Sequence, residues 1–220
     1  MTSRSGLDAL RHLPPLSGLS PKDVAPLADL ARRQTYARDD YLWVSADPSG
    51  YAYFIDVGKA QLLRWGQNGR AAALELLVAG DLFGLVLSDR EPVESTARIL
   101  VDGTVIWSLP RKPVLDLIST HLSVAKHAFA QFWRRLEHVY ERVEDLSCYP
   151  VKIRLARTLI RLGTDEERTI RATQEELSAW IGASREGVGR ALQQFQASHM
   201  IAYHPRRGVK ILDPAGLAKK

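Results

Sequence analysis

The chain has 220 residues, 45% of them hydrophobic and 25% charged, a globular balance that excludes a mainly disordered chain and allows one large or two small domains. Charges interrupt every long apolar stretch, the first residues lack the apolar run of a signal peptide, and a lone Cys148 excludes a disulfide framework or a multi-cysteine metal cluster. The expectation is a soluble cytoplasmic protein without membrane contact, whose formal net charge of +5 is unevenly spread: residues 148–220 hold 13 Lys and Arg against 7 Asp and Glu, whereas residues 1–147 hold 17 against 18.

A basic C-terminal third on a near-neutral remainder points to a polyanionic partner, nucleic acid first. On composition alone, a merely solvated basic surface is an equal alternative.

Residues 7–34 read as one or two short helices, with Ser20 as an N-cap and Pro21 at the first helical position. From about Thr35 to Leu109 the pattern changes to short apolar or β-branched runs punctuated by Gly, Pro, Asp and Asn. Tyr51 to Gly58, Ala60 to Trp65 and Arg70 to Val78 are such runs, and Gly66-Gln67-Asn68-Gly69 is a hairpin signal between two of them. This spacing predicts an all-β barrel or jelly roll.

From about Ser119 to Leu146 the period becomes helical. Ala125, Phe129, Phe132, Leu136, Val139, Val143 and Leu146 are separated alternately by four and three residues, the a/d stripe of a coiled coil on a helix roughly 33 Å long. Arg134, Arg135, Glu137, Glu141 and Arg142 flank it. Phe129, Phe132, Leu136, Val139, Val143 and Leu146 are therefore expected to form the seam of a homodimer; a long core helix inside its own domain is the alternative. Trp133 and Tyr140, one heptad apart and off the seam, are expected to pack on the barrel. Cys148-Tyr149-Pro150 ends the helix as a hinge. Val151 to Leu162 is a further amphipathic helix closed by Gly163, and Thr164 to Arg168 is an exposed loop.

Thr173-Gln174-Glu175-Glu176 is a capping box that opens a helix through Trp180-Ile181 and stops at Gly182. Ser184 caps a second helix whose inner face carries Val188, Leu192 and Phe195. Two short helices joined by a Gly-containing turn form a helix-turn-helix, whose second helix enters the major groove. On that helix Arg185, Glu186 and Arg190 lie off the apolar face. Arg can bond guanine O6 and N7, and Glu can accept from cytosine N4. Gly189 would let the backbone approach DNA, at about 1 kcal/mol of helix propensity relative to Ala. A solvated face with an i,i+4 pair is the competing reading. The next feature separates them: Met200 to His204 and Val209 to Leu212 flank Pro205-Arg206-Arg207-Gly208, a hairpin with a basic tip suited to phosphate contacts.

With Thr173-Gln174-Glu175-Glu176-Leu177 and Ala183-Ser184-Arg185-Glu186-Gly187-Val188-Gly189-Arg190-Ala191-Leu192, the sequence resembles the CRP/FNR transcription regulators, over nearly the whole chain. Gly80-Asp81-Leu82-Phe83-Gly84 is similar to the Gly-Asp-x-x-Gly of the family's cyclic-nucleotide-type β-roll, and the heptad helix to its dimerisation helix. The resemblance implies an α+β chain: a β-roll sensor-like domain with N-terminal helices over 1–118, a dimerisation helix over 119–148 and a winged helix-turn-helix over 149–220. It also implies that Arg185, Glu186 and Arg190 read a TGTGA-like half-site. Thr173, Gln174, Ser184, His204, Arg206 and Arg207 would meet the DNA backbone. Gly187 departs from the Thr or Ser common at its position, so one phosphate hydrogen bond lacks its hydroxyl.

The effector pocket implied by the family would involve Gly84, Leu85, Ser95, Thr96 and Trp133. Cyclic-nucleotide binders carry a Glu after Gly-Asp-x-x-Gly and an Arg before the later Ser or Thr; here Leu85 and Ser95 stand in those places. A buried cyclic phosphate without a cation is costly, so the sequence argues against ordinary cyclic-AMP or cyclic-GMP binding; Arg90 or Arg98 could substitute, but nothing in the sequence aims them at the pocket. Cys148 alone cannot hold an iron-sulfur cluster, and His121, His127 and His138 read as solvated helix residues rather than haem ligands. No cofactor or metal is expected. The resulting expectation is a homodimeric DNA-binding regulator, an activator that recruits RNA polymerase without needing cyclic AMP. A regulator dependent on an unidentified effector, and a ligand-binding module that pairs with protein, stay open. No P-loop, dinucleotide turn, zinc spacing or nucleophile elbow supports an enzyme.

Overall fold

The computed structural model describes residues 3–43, 50–67, 69, 71–84, 95–163, 168–205 and 207–219. They fall into two compact units, one within residues 1–65 and 74–136, the other within 66–73 and 137–220.

In the first unit, α1 (Ser3–Arg11) and α2 (Pro21–Ala28) precede the strands. Ser20 occupies the N-cap position of α2, but its hydroxyl donates to Asp23 Oδ2 at 2.6 Å rather than capping the backbone. The strands are β1 (Arg32–Tyr36), β2 (Tyr41–Trp43), β3 (Tyr51–Val57), β4 (Lys59–Trp65), β5 (Ala71–Val78), β6 (Leu82–Phe83), β7 (Thr96–Ile99) and β8 (Thr104–Pro110). Residues 32–34, expected to be helical, thus belong to a strand: Arg32 to Tyr36 pairs with Ser108 to Thr104 of β8. The strands form two sheets, ordered β1-β8-β3-β6 and β2-β7-β4-β5, the roll that the run spacing predicts. Between them lie Tyr53, Ile55, Phe83 and Ile106 of one sheet and Ala60, Leu77, Ala97 and Ile99 of the other. The alternate residues of β3, Ala52 and Phe54, face Leu10, Leu16, Leu27 and Val114 of the helical layer, because successive side chains in a strand point to opposite faces.

Two helices follow, where one was expected from about Ser119. Helix α3 (Arg111–Thr120) is closed by His121 in an extended conformation, and α4 (Leu122–Cys148) then runs for 27 residues. A second difference concerns its faces. Trp133 and Tyr140, expected to pack on the roll, keep 51% and 62% of their surface exposed. The residues of α4 that turn inward are Val124, Gln131 and Asp145. The physical reason is that the roll offers α4 main-chain polar groups there. Gln131 accepts from Leu82 N–H at 3.1 Å and donates to Gly80 O at 2.6 Å, while Arg135 donates to Leu82 O at 2.6 Å and to Glu75 at 2.5 Å.

The second unit holds α5 (Val151–Leu162), β9 (Thr169–Ile170), α6 (Gln174–Ile181), α7 (Arg185–Ala197), β10 (Ile201–His204), β11 (Gly208–Ile211) and α8 (Pro214–Ala218). Its core joins Leu155 and Leu159 of α5, Leu177 and Ile181 of α6, Val188, Leu192 and Phe195 of α7, and Ile170, Ile201, Val209 and Ile211 of a three-stranded sheet ordered β10-β11-β9. Asp145 of α4 is buried here and pairs with Arg157 Nε at 2.6 Å and Arg161 Nη2 at 3.6 Å. Arg142 donates to the carbonyls of Ala73 and Ala179; burial, assisted by repulsion from Arg161, lowers its pKa. Among the described residues no helix is long and apolar enough to cross a membrane.

Candidate nucleic-acid interface

The helix-turn-helix is fixed by its caps. Thr173 accepts from Glu176 N–H at 3.1 Å, and the Glu176 carboxylate accepts from Thr173 N–H at 2.6 Å, the reciprocal box its spacing predicts. Gly182 ends α6 in the left-handed region at φ 60°, where a side chain would be strained. Two residues later Ser184 starts α7 by accepting from Gly187 N–H at 3.1 Å. Its oxygen is engaged as a cap, which leaves the hydroxyl proton available to an acceptor outside.

Burial of Val188, Ala191, Leu192 and Phe195 turns the opposite face of α7 outward. Arg185, Glu186 and Arg190 are all exposed on it. Among the described residues, none of the three forms an ion pair, so the i,i+4 pair of an ordinary solvated face is absent. The three side chains line one shallow depression with Gln174, Gly189 and Gln193. Gln193 lies one turn beyond Arg190 on the same polar face, and its spacing alone could have revealed it. Gln174 arrives from α6, which no local pattern signals. Gly189 differs from expectation: the space over it is taken by the Gln174 side chain, whose Oε1 would lie 3.5 Å from a Cβ at 189.

The hairpin after α7 forms as expected, Ile201 opposite Ile211 and His204 opposite Gly208. Strand β9, unforeseen, extends it by pairing Ile170 with Val209. His204 and Arg207 are exposed near its tip, and Arg206 lies outside the described residues. Of the expected exposed loop, only Arg168 is described; its carbonyl accepts from Ile211 N–H at 3.0 Å.

The expected seam residues Phe129, Phe132, Val139, Val143 and Leu146 are 49–66% exposed and Leu136 is half-buried, so α4 carries an apolar stripe that the described residues leave largely open. In the roll, Gly80 and Gly84 take φ values of 95° and 77°, and Asp81 accepts from Val78 N–H at 2.8 Å. The Gly-Asp-x-x-Gly segment is therefore a turn that launches β6. Thr96 is buried at the start of β7, Gly84 and Ser95 are half-buried, and Trp133 is exposed; Leu85 and Arg90 lie outside the described residues. Arg98 is turned to Asp39, with Nη2 2.6 Å from Oδ1.

A two-sheet roll followed by a long helix and a winged helix-turn-helix defines a class of DNA-binding transcription regulators. The model of the cyclic nucleotide-binding domain matches residues 33–121, and that of the Crp-like helix-turn-helix domain residues 153–220. The chain is 27% identical over 212 residues to a CRP-like cAMP-activated global transcriptional regulator of Mycobacterium tuberculosis, covering 92% of this chain and 94% of that one. It is 29% identical over 199 residues to the cyclic AMP receptor protein of Thermus thermophilus, covering 89% and 91%. In fold it resembles a CRP/FNR-family regulator from Eubacterium rectale, with a TM-score of 0.76 at 20% identity over 94% of this chain and 98% of that one. The chain belongs to the CRP/FNR family, a family of transcription regulators rather than enzymes.

Proposed function

We propose that the protein is a homodimeric, sequence-specific regulator that acts in the cytoplasm and reads near-palindromic TGTGA-like sites. The observation that carries the reading is the outward face of α7, where Arg185, Glu186 and Arg190 stand exposed and without ion pairs among the described residues. The open stripe on α4 supplies the seam that brings two such helices into successive major grooves, roughly 34 Å apart. Thr173, Ser184, His204, Arg206 and Arg207 meet phosphates around them. Bound upstream of a promoter, the dimer activates by contacting RNA polymerase, with Thr164 to Arg168 as the contact loop.

DNA binding in this reading does not require cyclic AMP. Leu85 and Ser95 replace the carboxylate and the cation that hold a cyclic nucleotide. Among the described cations at the roll, Arg135 is held by Glu75 and Leu82 O, Arg134 lies 3.6 Å from Asp81 and Arg98 is paired with Asp39. An anionic ligand neutralised by one of these would have to break its pair.

The test is binding of effector-free protein to a TGTGA-N6-TCACA duplex and to a scrambled duplex at fixed salt, without and with cyclic AMP. The expected result is specific binding without the nucleotide. Arg185→Ala should lose about 1–3 kcal/mol on the specific duplex and relax preference at one base pair. Specific binding that appears only with cyclic AMP overturns the effector reading, and unchanged binding by Arg185→Ala overturns the assigned readout.

A further inference from the structure

Helix α7 has a glycine in the middle of its outward face, and the space over that glycine is filled from a different helix. An ideal Cβ at Gly189 would stand 3.5 Å from Gln174 Oε1 and 3.7 Å from Gln174 Nε2. Both polar atoms of the Gln174 amide therefore lie across the α7 backbone, among Arg185, Glu186, Arg190 and Gln193. Gln174 is the first residue of α6, a position whose family resemblance implies contact with the DNA backbone. A backbone contact can be made by a neutral amide as well as by a cation, so charge does not decide the role of Gln174; its position does, because its amide is in the depression that the base-reading side chains line.

We infer that Gln174 is a base-reading residue, its amide held over Gly189 so as to pair with the N6 amine and N7 of an adenine in each half-site. This rests on the DNA-reading role proposed above for α7 and extends it to α6. The chemistry follows from the donor and acceptor pattern of the major groove. Adenine offers an acceptor at N7 and a donor at N6, which one amide satisfies with its NH2 and its oxygen. Cytosine offers only the N4 donor, which a carboxylate accepts. Gln174→Glu keeps the shape and removes the donor, so it converts a preference for adenine into one for cytosine. Gln174 is half-buried at the first helical position, outside the apolar core, and a carboxylate is favourable at a helix N-terminus, so the variant keeps its fold.

The experiment is selection from randomised duplexes by the full-length dimer, its Gln174→Ala and Gln174→Glu variants, and Arg185→Ala. Wild type should enrich a site with an adenine that Gln174→Ala no longer selects, a loss of roughly 5- to 100-fold in discrimination, with affinity for a scrambled duplex unchanged. Gln174→Glu should select cytosine at that position. Loss by Gln174→Ala of the same factor on specific and scrambled duplexes would make Gln174 a phosphate contact and overturn the inference. Unchanged selection by both variants would overturn it too. If Arg185→Ala relaxes a position while the Gln174 variants alter none, this inference alone fails. If wild type enriches no sequence, the reading of α7 falls with it.

Discussion

Phe132 offers the most direct measure of whether the open face of α4 is an interface. It sits at a d position of the heptad stripe and keeps 59% of its surface exposed in the single chain. A phenylalanine side chain buries about 150–250 Å² when fully covered, so closing the remainder against a second copy would remove roughly 120 Å² from water. At about 25 cal/mol per Å² this contributes about 3 kcal/mol per chain, or about 6 kcal/mol per dimer, since the seam uses the residue twice. Phe132→Ala should therefore weaken dimerisation by up to about 10⁴-fold. The isolated chain should change little, because a half-exposed ring contributes little to its own core. Sedimentation equilibrium over a dilution series measures the dimer constant, and a thermal melt of the monomer checks the fold. A wild-type chain that is monomeric at micromolar concentration would refute the seam. So would a Phe132→Ala dimer as tight as wild type.

Three further perturbations have defined outcomes. Thr173→Ala removes one half of the capping box and should cost about 1 kcal/mol, lowering the melting temperature of the C-terminal unit by about 4–8 °C; an unchanged melt would show that the box is not needed. Arg207→Gln, at the exposed hairpin tip, should weaken binding to specific and scrambled DNA alike and reduce the salt slope by about 1 per chain, whereas a loss confined to the specific site would make Arg207 a base contact. Burial, then the nearby Arg134 charge, depresses the pKa of His127, whose Nε2 lies 3.1 Å from Gln131 Nε2. The unfolded chain thus binds a proton that the folded chain resists, so stability is full above about pH 6.5 and is lost as pH falls through the folded pKa. Melting temperatures of wild type and His127→Gln should diverge between about pH 7.5 and 5, and parallel curves would show that His127 titrates normally.

What could be read from the sequence was local or periodic. The box between Thr173 and Glu176 spans three residues, and the heptad stripe on α4 is a repeat, so both were visible without tertiary information. Strand β9 was not, because two residues carry no period; Thr169–Ile170 becomes a strand only through Val209 and Lys210, about forty positions away. Gln174 over Gly189 was hidden for the same reason, since the glycine reads as an open place on α7 until the other helix is laid beside it. The expected roll and wing were found at nearly their expected places, whereas the split between α3 and α4 depends on one backbone conformation, at His121.

The exposure of Trp133 and Tyr140 has a more general cause. Apolar content marks the inward face on most helices. Helix α4, however, meets the roll where β6 begins, and there the main chain presents Gly80 O, Leu82 N–H and Leu82 O. Buried main-chain groups need partners, so the facing helix must bring polar side chains, which Gln131 and Arg135 do. Each is specific in position, because a shift of α4 by one residue would strand several buried groups at about 1–3 kcal/mol each. An apolar contact at the same place would tolerate sliding. The polar clip therefore fixes the register of α4 on the roll, and the apolar residues are released to the other side, where they form the stripe proposed above as the dimer seam.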